Sequence, residues 1–168
     1  MPVSNKTFDS VGGFSIDKTT IVDNEKNAKD LNTLQIKNSF YSDSNTTHYI
    51  LRGINTSILS TDDVNSVIPL DNATINFIEA SIVGVNDDSS VVLSTKLETA
   101  IKVSTLGVLS ELSTMTTTVS DNVPVGQTWT VDPFLGAGNN AFSYNTSRSG
   151  TTKSIKWIAY VKVVSIQF

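Results

Sequence analysis

The sequence predicts an all-β protein, an antiparallel, jelly-roll-like β-sandwich with an extended N-terminal arm. Three observations lead to this prediction. Apolar and polar residues alternate along several segments, clusters of turn-forming residues separate those segments, and few stretches have the spacing of an amphipathic helix. The length of 168 residues fits one full-sized domain. Parallel strands would need helical crossovers of about a dozen residues, for which the sequence offers no candidates.

The C-terminal segment 154–168 shows the clearest alternation. One face of the predicted strand collects the apolar residues at odd positions, which are Ile155, Trp157, Ala159, Val161 and Val163. After Val163 the apolar residues move to even positions, at Val164, Ile166 and Phe168. Because side chains alternate strictly along a strand, this change of phase predicts a β-bulge at Val163–Val164.

Further strands are predicted upstream. In 73–84, Ile75 and Phe77 share one face before the apolar residues change to the other face. Residues 95–103 alternate as a strand and also fit a helical spacing, but their Thr and Val content and the lack of a cap favour a strand. Shorter strands are predicted at 115–119, 128–132 and 142–146. The best helix candidate, 24–32, fits a charged loop equally well.

The composition changes near residue 66 and predicts two parts. Before residue 66 the apolar residues form small groups separated by polar stretches, and such a segment buries little core of its own. After it the apolar runs are dense enough for a compact domain of about 100 residues. We therefore predict an N-terminal docking arm of short strands at 1–66 and a β-sandwich at 67–168.

Composition also excludes several classes of function. The net charge is −4 and the chain has only two arginines, which argues against a nucleic-acid partner. No apolar run approaches 18 residues, so no membrane partner is expected, and the N-terminus lacks the apolar stretch of a signal peptide. The chain has no cysteine, which removes disulfides and thiolate metal sites. Solubility depends instead on 22 Ser, 21 Thr and 15 Asn.

Several motifs follow one another in the C-terminal half. A hydrophobic strand ends in Val-Gly-Val and a polar turn at 73–90, a Trp-containing strand lies at 127–131, a strand ends in a Gly turn at 142–150, and a basic-Trp-aliphatic tract (IKWIAYV) closes the series at 155–161. In this order they resemble the β-sandwich module that ends many bacteriophage fibre and tail-associated virion proteins, over about 75–166. The resemblance implies a structural role in the virion and assembly as a homotrimer, with the sandwich at 67–168 as the trimerisation domain. The Ser, Thr and Asn content and the lack of cysteine and of a signal peptide fit synthesis in the cytoplasm of a bacterial host.

Carboxylates are the first candidates for catalysis. A glycoside hydrolase needs two of them about 5–10 Å apart, and the chain offers Glu79, Glu98 and Glu111. The first two lie on the polar faces of predicted strands, where a solvated role is the default. The pairs at 62–63 and 87–88 lie in predicted turns, where Asp bonds to the backbone. We predict that the protein is not an enzyme.

The remaining candidates have simpler interpretations as well. Residues 86–89 could offer oxygens to Ca²⁺, but calcium takes 6–8 ligands and a turn is favoured. The single histidine, His48, is interpreted as a loop residue in contact with a glycan or another subunit. Trp129 and Trp157 could stack on sugars, although their apolar strand neighbours favour the core or a subunit interface. Gly136–Gly138 is interpreted as a hairpin loop. No metal and no cofactor is predicted.

The sequence thus predicts a bacteriophage virion structural protein, a homotrimeric capsid decoration, head-fibre or tail-fibre component that docks through its N-terminal arm. The expected partners are other copies of the chain and the major capsid or tail and baseplate proteins, with a host surface glycan left open. The alternative is a carbohydrate- or host-receptor-binding module of a phage tail. The predicted interface residues are Phe14, Ile16, Leu34, Ile36, Ile50, Leu51, Ile54, Trp157, Tyr160 and Phe168.

Overall fold

A computed structural model describes residues 14–16, 19–22, 28, 31, 33–136 and 140–168. The chain divides into two compact units, 1–32 and 33–168. In the first unit, β1 (Phe14–Ile16) pairs antiparallel with β2 (Thr19–Val22), and Val22 forms a bridge with Ala28. Within the helix candidate at 24–32 only Ala28 and Leu31 are described, and the side chains of Phe14 and Ile16 lie outside what is described.

The larger sheet of the second unit has six strands, which are β3 (Thr33–Ile36), β4 (Ser44–Ile54), β7 (Thr74–Asn86), β8 (Val92–Val103), β9 (Leu109–Asp121) and β12 (Ile155–Gln167). Their order in the sheet is β3-β4-β12-β7-β8-β9, and each neighbouring pair is antiparallel. The C-terminal strand β12 is therefore one of the two central strands.

The smaller sheet covers one face of the larger one. It is built on the antiparallel pair β10 (Thr128–Gly136) and β11 (Ala141–Ser149). Residues 137–139, within and beside the predicted hairpin loop, lie outside the described residues. Two short strands, β5 (Ser57–Ile58) and β6 (Ile68–Pro69), pair with different parts of β11. The predicted all-β, antiparallel sandwich is confirmed. Within the described residues no helix could span a membrane.

The core lies between the two sheets. The even positions of β7 and the odd positions of β8 and β12 point inward, so these long strands alternate between buried and exposed residues. From the smaller sheet, Trp129, Phe142 and Tyr144 close the core, and the Phe142 and Tyr144 rings meet edge to face at 5.0 Å. Burial of this apolar surface is the main driving force for folding.

Trp157 joins the two sheets near the beginning of β12. Its cross-strand neighbour on β7 is Gly84, which leaves room for the indole ring. The ring meets Trp129 of the smaller sheet edge to face, with centroids 6.0 Å apart. Its Nε1 donates a hydrogen bond to the carbonyl of Asn55 at 2.9 Å, which satisfies the polar atom of a nearly fully buried side chain.

Asn55 forms a second connection between the sheets, at the turn between β4 and β5. Its φ of 60° is left-handed, a conformation in which Asn is enriched. The side-chain Oδ1 accepts a hydrogen bond from the Ile155 amide at 2.9 Å, and the carbonyl accepts one from Thr146 Oγ1 at 3.0 Å. The turn thereby holds β4, β11 and β12 together.

The predicted bulge at Val163–Val164 is wrong. β12 pairs with both β4 and β7 without a register shift. Alternation continues because the inward position after Val163 is Ser165, whose Oγ donates to Asn76 Oδ1 at 2.6 Å. A polar pair therefore ends the core, and the even-numbered apolar residues lie on the opposite face. Register shifts occur instead between β8 and the edge strand β9.

The unit boundary also differs from the predicted one. The second unit begins at Thr33 rather than near Ser66. Residues 44–54 form a strand beside β12, and Leu51 and Leu59 are fully buried in the core. The sequence interpretation missed this because a strand that completes a sheet needs few apolar residues of its own, and β4 contributes Leu51 with partly buried neighbours.

We expect Gly84→Ala to destabilise the protein, because an added Cβ would lie within 2.7 Å of three Trp157 ring carbons. Overpacking of this kind costs about 1–3 kcal/mol, which should lower Tm by roughly 3–10 °C in a thermal melt. Ser81→Ala on the exposed face of the same strand is the control and should change stability by about 0.5 kcal/mol or less. An unchanged Tm for Gly84→Ala would contradict the described packing.

Candidate functional site

The candidate site is the face of the six-stranded sheet that points away from the smaller sheet, here called the outer face. Such a face of an antiparallel sheet is normally polar. Here it carries large apolar or aromatic side chains on five of the six strands, each between 45% and 59% exposed. They are Leu34, Ile36, Ile50, Ile54, Phe77, Met115, Ile158, Tyr160 and Ile166. A cluster of nine large side chains that are each about half exposed is typical of an interaction surface.

A row of mainly charged residues crosses the middle of the outer face, here called the central row. The cross-strand pairing gives its order from β3 to β9 as Leu34, His48, Lys162, Glu79, Glu98 and Met115. Lys162 Nζ lies 3.3 Å from Glu79 Oε1. The row therefore has a basic half on β4 and β12 and an acidic half on β7 and β8, with an apolar residue at each end.

Aromatic contacts support the basic half of the row. His48 Nδ1 and the Tyr160 hydroxyl form a hydrogen bond of 2.6 Å, and their rings stack with centroids 5.8 Å apart. Tyr160 follows Ile158 along β12 on the same face. His48 is thus held in the middle of a strand, and its interpretation as a loop residue is wrong.

Two depressions flank the acidic half of the row. The first has a volume of about 290 Å³ and lies between Phe77 and Met115, above the small side chain of Ala100 and beside both glutamates. The second, of about 180 Å³, is lined by Lys96, Tyr160, Lys162 and the same glutamates. Both open onto the outer face and combine charged with apolar lining.

The structure brings two of the predicted carboxylates together. Glu79 and Glu98 are direct cross-strand neighbours, and both are exposed. Glu111 lies elsewhere, opposite Ile101. Like charges placed directly opposite destabilise a sheet, and Lys162 compensates only Glu79. Strand alternation alone places each glutamate on a polar face, but their juxtaposition depends on the register of β7 against β8.

The aspartate pairs lie in turns, as predicted. Hydrogen bonds donated by Ser66 and Val64 hold the pKa of Asp62 below its ordinary value. Hydrogen bonds donated by Lys153 and Ser90 hold the pKa of Asp88 well below the ordinary value of an aspartate. In the Asn86–Ser90 turn the side-chain oxygens thus serve the loop itself. Within the described ranges no group of three or more His, Asp or Glu is placed to hold a metal ion.

The predicted interface residues fall into three groups. Five of them lie on the outer face, namely Leu34, Ile36, Ile50, Ile54 and Tyr160. Phe168 is exposed just beyond β12, and the centroid of its ring lies 5.2 Å from Lys102 Nζ. Leu51 and Trp157 are buried in the core, at 0% and 2% exposure, so their assignment to an interface is corrected. The side chains of Phe14 and Ile16 lie outside the described residues.

Several outer-face residues were missed by the sequence interpretation. Phe77, Met115, Ile158 and Ile166 are all about half exposed. Their signal was present at the even positions of β12 and the odd positions of β7, where apolar residues occur opposite a face that is already apolar. A central strand with apolar residues on both faces is typical of a sheet that is buried on both sides. The smaller sheet buries one face here, and burial of the other would need a partner from outside the subunit.

Comparisons with known proteins give one fold likeness. No family model and no curated protein matches the chain. Among solved structures it is similar to the tailspike protein gp49 of Acinetobacter baumannii bacteriophage Fri1, described as a capsular polysaccharide depolymerase, with a TM-score of 0.51 and 14% identity. The match covers 90% of this chain and 22% of the tailspike chain. At this identity the likeness shows a shared fold, and the chain spans about a fifth of the tailspike.

We expect Glu98→Gln to stabilise the chain and Glu79→Gln to do so less, because only Glu79 has Lys162 as a partner. Exposed cross-strand pairs contribute about 0.2–1 kcal/mol, so Glu98→Gln should raise Tm by roughly 1–3 °C. Thermal melts at low and high salt measure the effect, which should shrink as salt screens the charges. Equal responses of the two variants would contradict the described pairing.

Proposed function

We propose that the chain is a structural component of a bacteriophage virion, a homotrimeric fibre or spike module of the tail. The alternative location in the head, as a capsid decoration or head fibre, follows from the same assembly chemistry. The fold likeness to a phage tailspike supports the tail. The single observation that carries the proposal is the outer face, where a fully formed sandwich leaves nine large apolar or aromatic side chains about half exposed.

Burial of the outer face supplies the energy of assembly in this proposal. Removal of apolar surface from water stabilises a complex by about 25 cal/mol per Å², from which the entropy of association must be subtracted. The central row adds orientation, because charges at an interface select the correct partner and register more than they add affinity. Glutamates that are exposed to solvent, one of them paired with Lys162, fit this role better than hydrolysis, so we propose no enzymatic activity.

Attachment to the rest of the particle is assigned to the N-terminal part of the chain. The arm was predicted at 1–66, but residues from Thr33 onward belong to the sandwich unit. The proposed docking segment is therefore the separate unit 1–32. Its partner would be a major capsid protein or a tail or baseplate protein.

Analytical ultracentrifugation of the purified full chain tests the assembly. We expect a species of three times the chain mass of 18.1 kDa, in equilibrium with monomer at low concentration. Labelling of intact particles with an antibody against the chain should then mark the tail. A monomer at every accessible concentration would contradict the proposed homotrimer, and label confined to the capsid would contradict the tail location.

A second function is favoured by the two depressions on the outer face. Carboxylates, lysines and the Tyr160 ring beside apolar walls are groups that recognise sugars, and the tailspike with the similar fold is named as a polysaccharide depolymerase. The alternative is therefore a host-glycan-binding module. It requires an outer face that is open in the assembled protein.

Binding of purified capsular polysaccharide to the full chain separates the two functions. The structural proposal predicts no binding to the outer face, and no release of reducing ends on incubation. Saturable binding that is lost in Tyr160→Ala and retained in Tyr41→Ala, an exposed tyrosine that precedes β4, would favour the glycan-binding module instead.

A further inference from the structure

We propose that copies of the chain pack outer face against outer face around a rotation axis that runs parallel to the strands and passes over the boundary between β12 and β7. This inference rests on the proposed homotrimer and specifies its interface. In such an assembly the β3-β4-β12 half of one sheet faces the β7-β8-β9 half of the next copy. The occupant of the outer face is then a second copy of the same chain.

The strand order makes this arrangement possible. The β12–β7 boundary lies at the middle of the six-stranded sheet, with three strands on each side. Rotation about an axis over that boundary therefore brings β12 of one copy to β7 of another, β4 to β8, and β3 to β9. Because cross-strand neighbours share a level along the strands, each row of outer-face residues meets the same row of the next copy.

The central row is complementary to itself under this rotation. Lys162 meets Glu79 of the next copy, and His48 meets Glu98. At the ends of the row, Leu34 meets Met115. The order apolar, basic, basic, acidic, acidic, apolar thus pairs every member with a suitable partner. Glu98, whose cross-strand neighbours in its own subunit are Glu79 and Met115, gains a basic one. The opposite arrangement, half against like half, would place the two glutamates of one copy on those of another.

Rows on either side of the central row also match. Val164 meets Phe77 in the adjoining row, and Ile166 meets Ile75 in the row beyond. Towards the other end of the sheet Ile158 meets Val83. All these pairs are apolar. They place hydrophobic contacts on both sides of the charged row, as expected for an interface with a defined register.

The remaining charged residues of the outer face meet no like charge. By the same pairing rule Lys96 meets Ile50, Lys102 meets Ser44, Arg52 meets Ser94 and Lys156 meets Val85. Long basic side chains can lay their methylene groups on such partners and keep the charge in water. In this one register no two like charges therefore meet between copies.

The dimensions of the sheet fit three copies. Six strands at about 4.8 Å separation give a width of about 24 Å. With β3 and β9 of neighbouring copies about one strand spacing apart at each corner, the triangle has a side of about 34 Å, and its centre lies about 10 Å from each sheet. Large side chains such as Phe77, Ile158 and Tyr160 of three copies reach most of that distance and can fill the space. Strands β4 and β8 of neighbouring copies are then about 10 Å apart, the usual separation of sheets packed face to face.

The depression beside Ala100 provides a local test of fit. It lies between Phe77 and Met115 on the acidic half. The arrangement places the β3–β4 side of the next copy over it, where Ile36 is exposed at 57% and Thr46 adjoins it. A branched aliphatic side chain from the neighbouring copy can thus occupy a space that the subunit leaves empty.

Chemical cross-linking tests the arrangement in the full chain. The chain contains no cysteine, so Leu34→Cys/Met115→Cys introduces the only two thiols. Within one subunit these positions lie on the two edge strands, about 24 Å apart, beyond the reach of a bismaleimide that spans about 10 Å. The control pair is Leu34→Cys/Val125→Cys, since Val125 is fully exposed in the loop after β9.

We expect the Leu34→Cys/Met115→Cys variant to form covalent products of up to three chains on a denaturing gel. The products should form at least about tenfold faster than those of the control pair, because thiols held across an interface react at a high effective concentration. Leu34→Cys alone should give no ladder, since a rotation axis over the β12–β7 boundary keeps equivalent β3 strands apart.

Sedimentation of the same variants, with Met115→Cys alone added, separates the possible failures. A trimer without rapid 34–115 cross-links would overturn this interface and leave the proposed homotrimer standing. A monomer whose thiol at position 115 resists a monofunctional maleimide would mean that the chain covers its own outer face, and a monomer in which that thiol reacts would mean that the face stays open. Either monomer overturns both the interface and the homotrimer. Covalent products that end at two chains would support the register and overturn the threefold number.

Discussion

The whole arrangement depends on the register of the central strand β12, which Trp157 fixes. Its ring occupies the space above Gly84, meets Trp129 of the smaller sheet, and donates a hydrogen bond to Asn55. A slip of one residue would turn every side chain of the strand to the opposite face. By placing position 157 inward, these contacts also place the even-numbered residues outward, so the packing of the core determines the composition of the outer face.

The two faces of the larger sheet make different kinds of interaction. The inner face is mainly apolar, with buried threonines such as Thr95 and Thr99 among its residues. It is closed by the smaller sheet, and polar groups such as Asn76 and Ser165 are paired where the core ends. The outer face carries apolar side chains on both sides of the central row, together with single basic residues such as Lys96 and Arg52. The apolar side chains supply free energy when they are covered, whereas exposed ion pairs such as Lys162–Glu79 supply little. Charges in that position mainly select the orientation of the neighbouring copy, because like charges in a wrong register lose more free energy than opposite charges gain in the correct one.

Much of the fold could be predicted from the sequence because strand alternation is local information. The inward row of β12, the turns at 86–90 and 62–66, and the extended segments 95–103 and 142–146 all follow from spacing and turn chemistry. The place of β4 beside β12 could not be predicted, since it depends on pairing between residues about a hundred positions apart. The same limit applies to the site: that Glu79 faces Glu98, or that His48 contacts Tyr160, depends on registers that no single segment specifies. The bulge was predicted wrongly because apolar residues on the second face of β12 were interpreted as a change in the phase of the side-chain alternation.

The central claim is that the outer face is covered by other copies while the inner face builds the subunit. Two aspartate substitutions on β12 test it most directly, Ile158→Asp on the outer face and Val161→Asp on the inner face. Sedimentation combined with circular dichroism should show that Ile158→Asp yields a folded monomer. Val161→Asp should unfold the chain, since a buried unpaired charge costs several kcal/mol. An Ile158→Asp protein that assembles as the parent does would contradict the account.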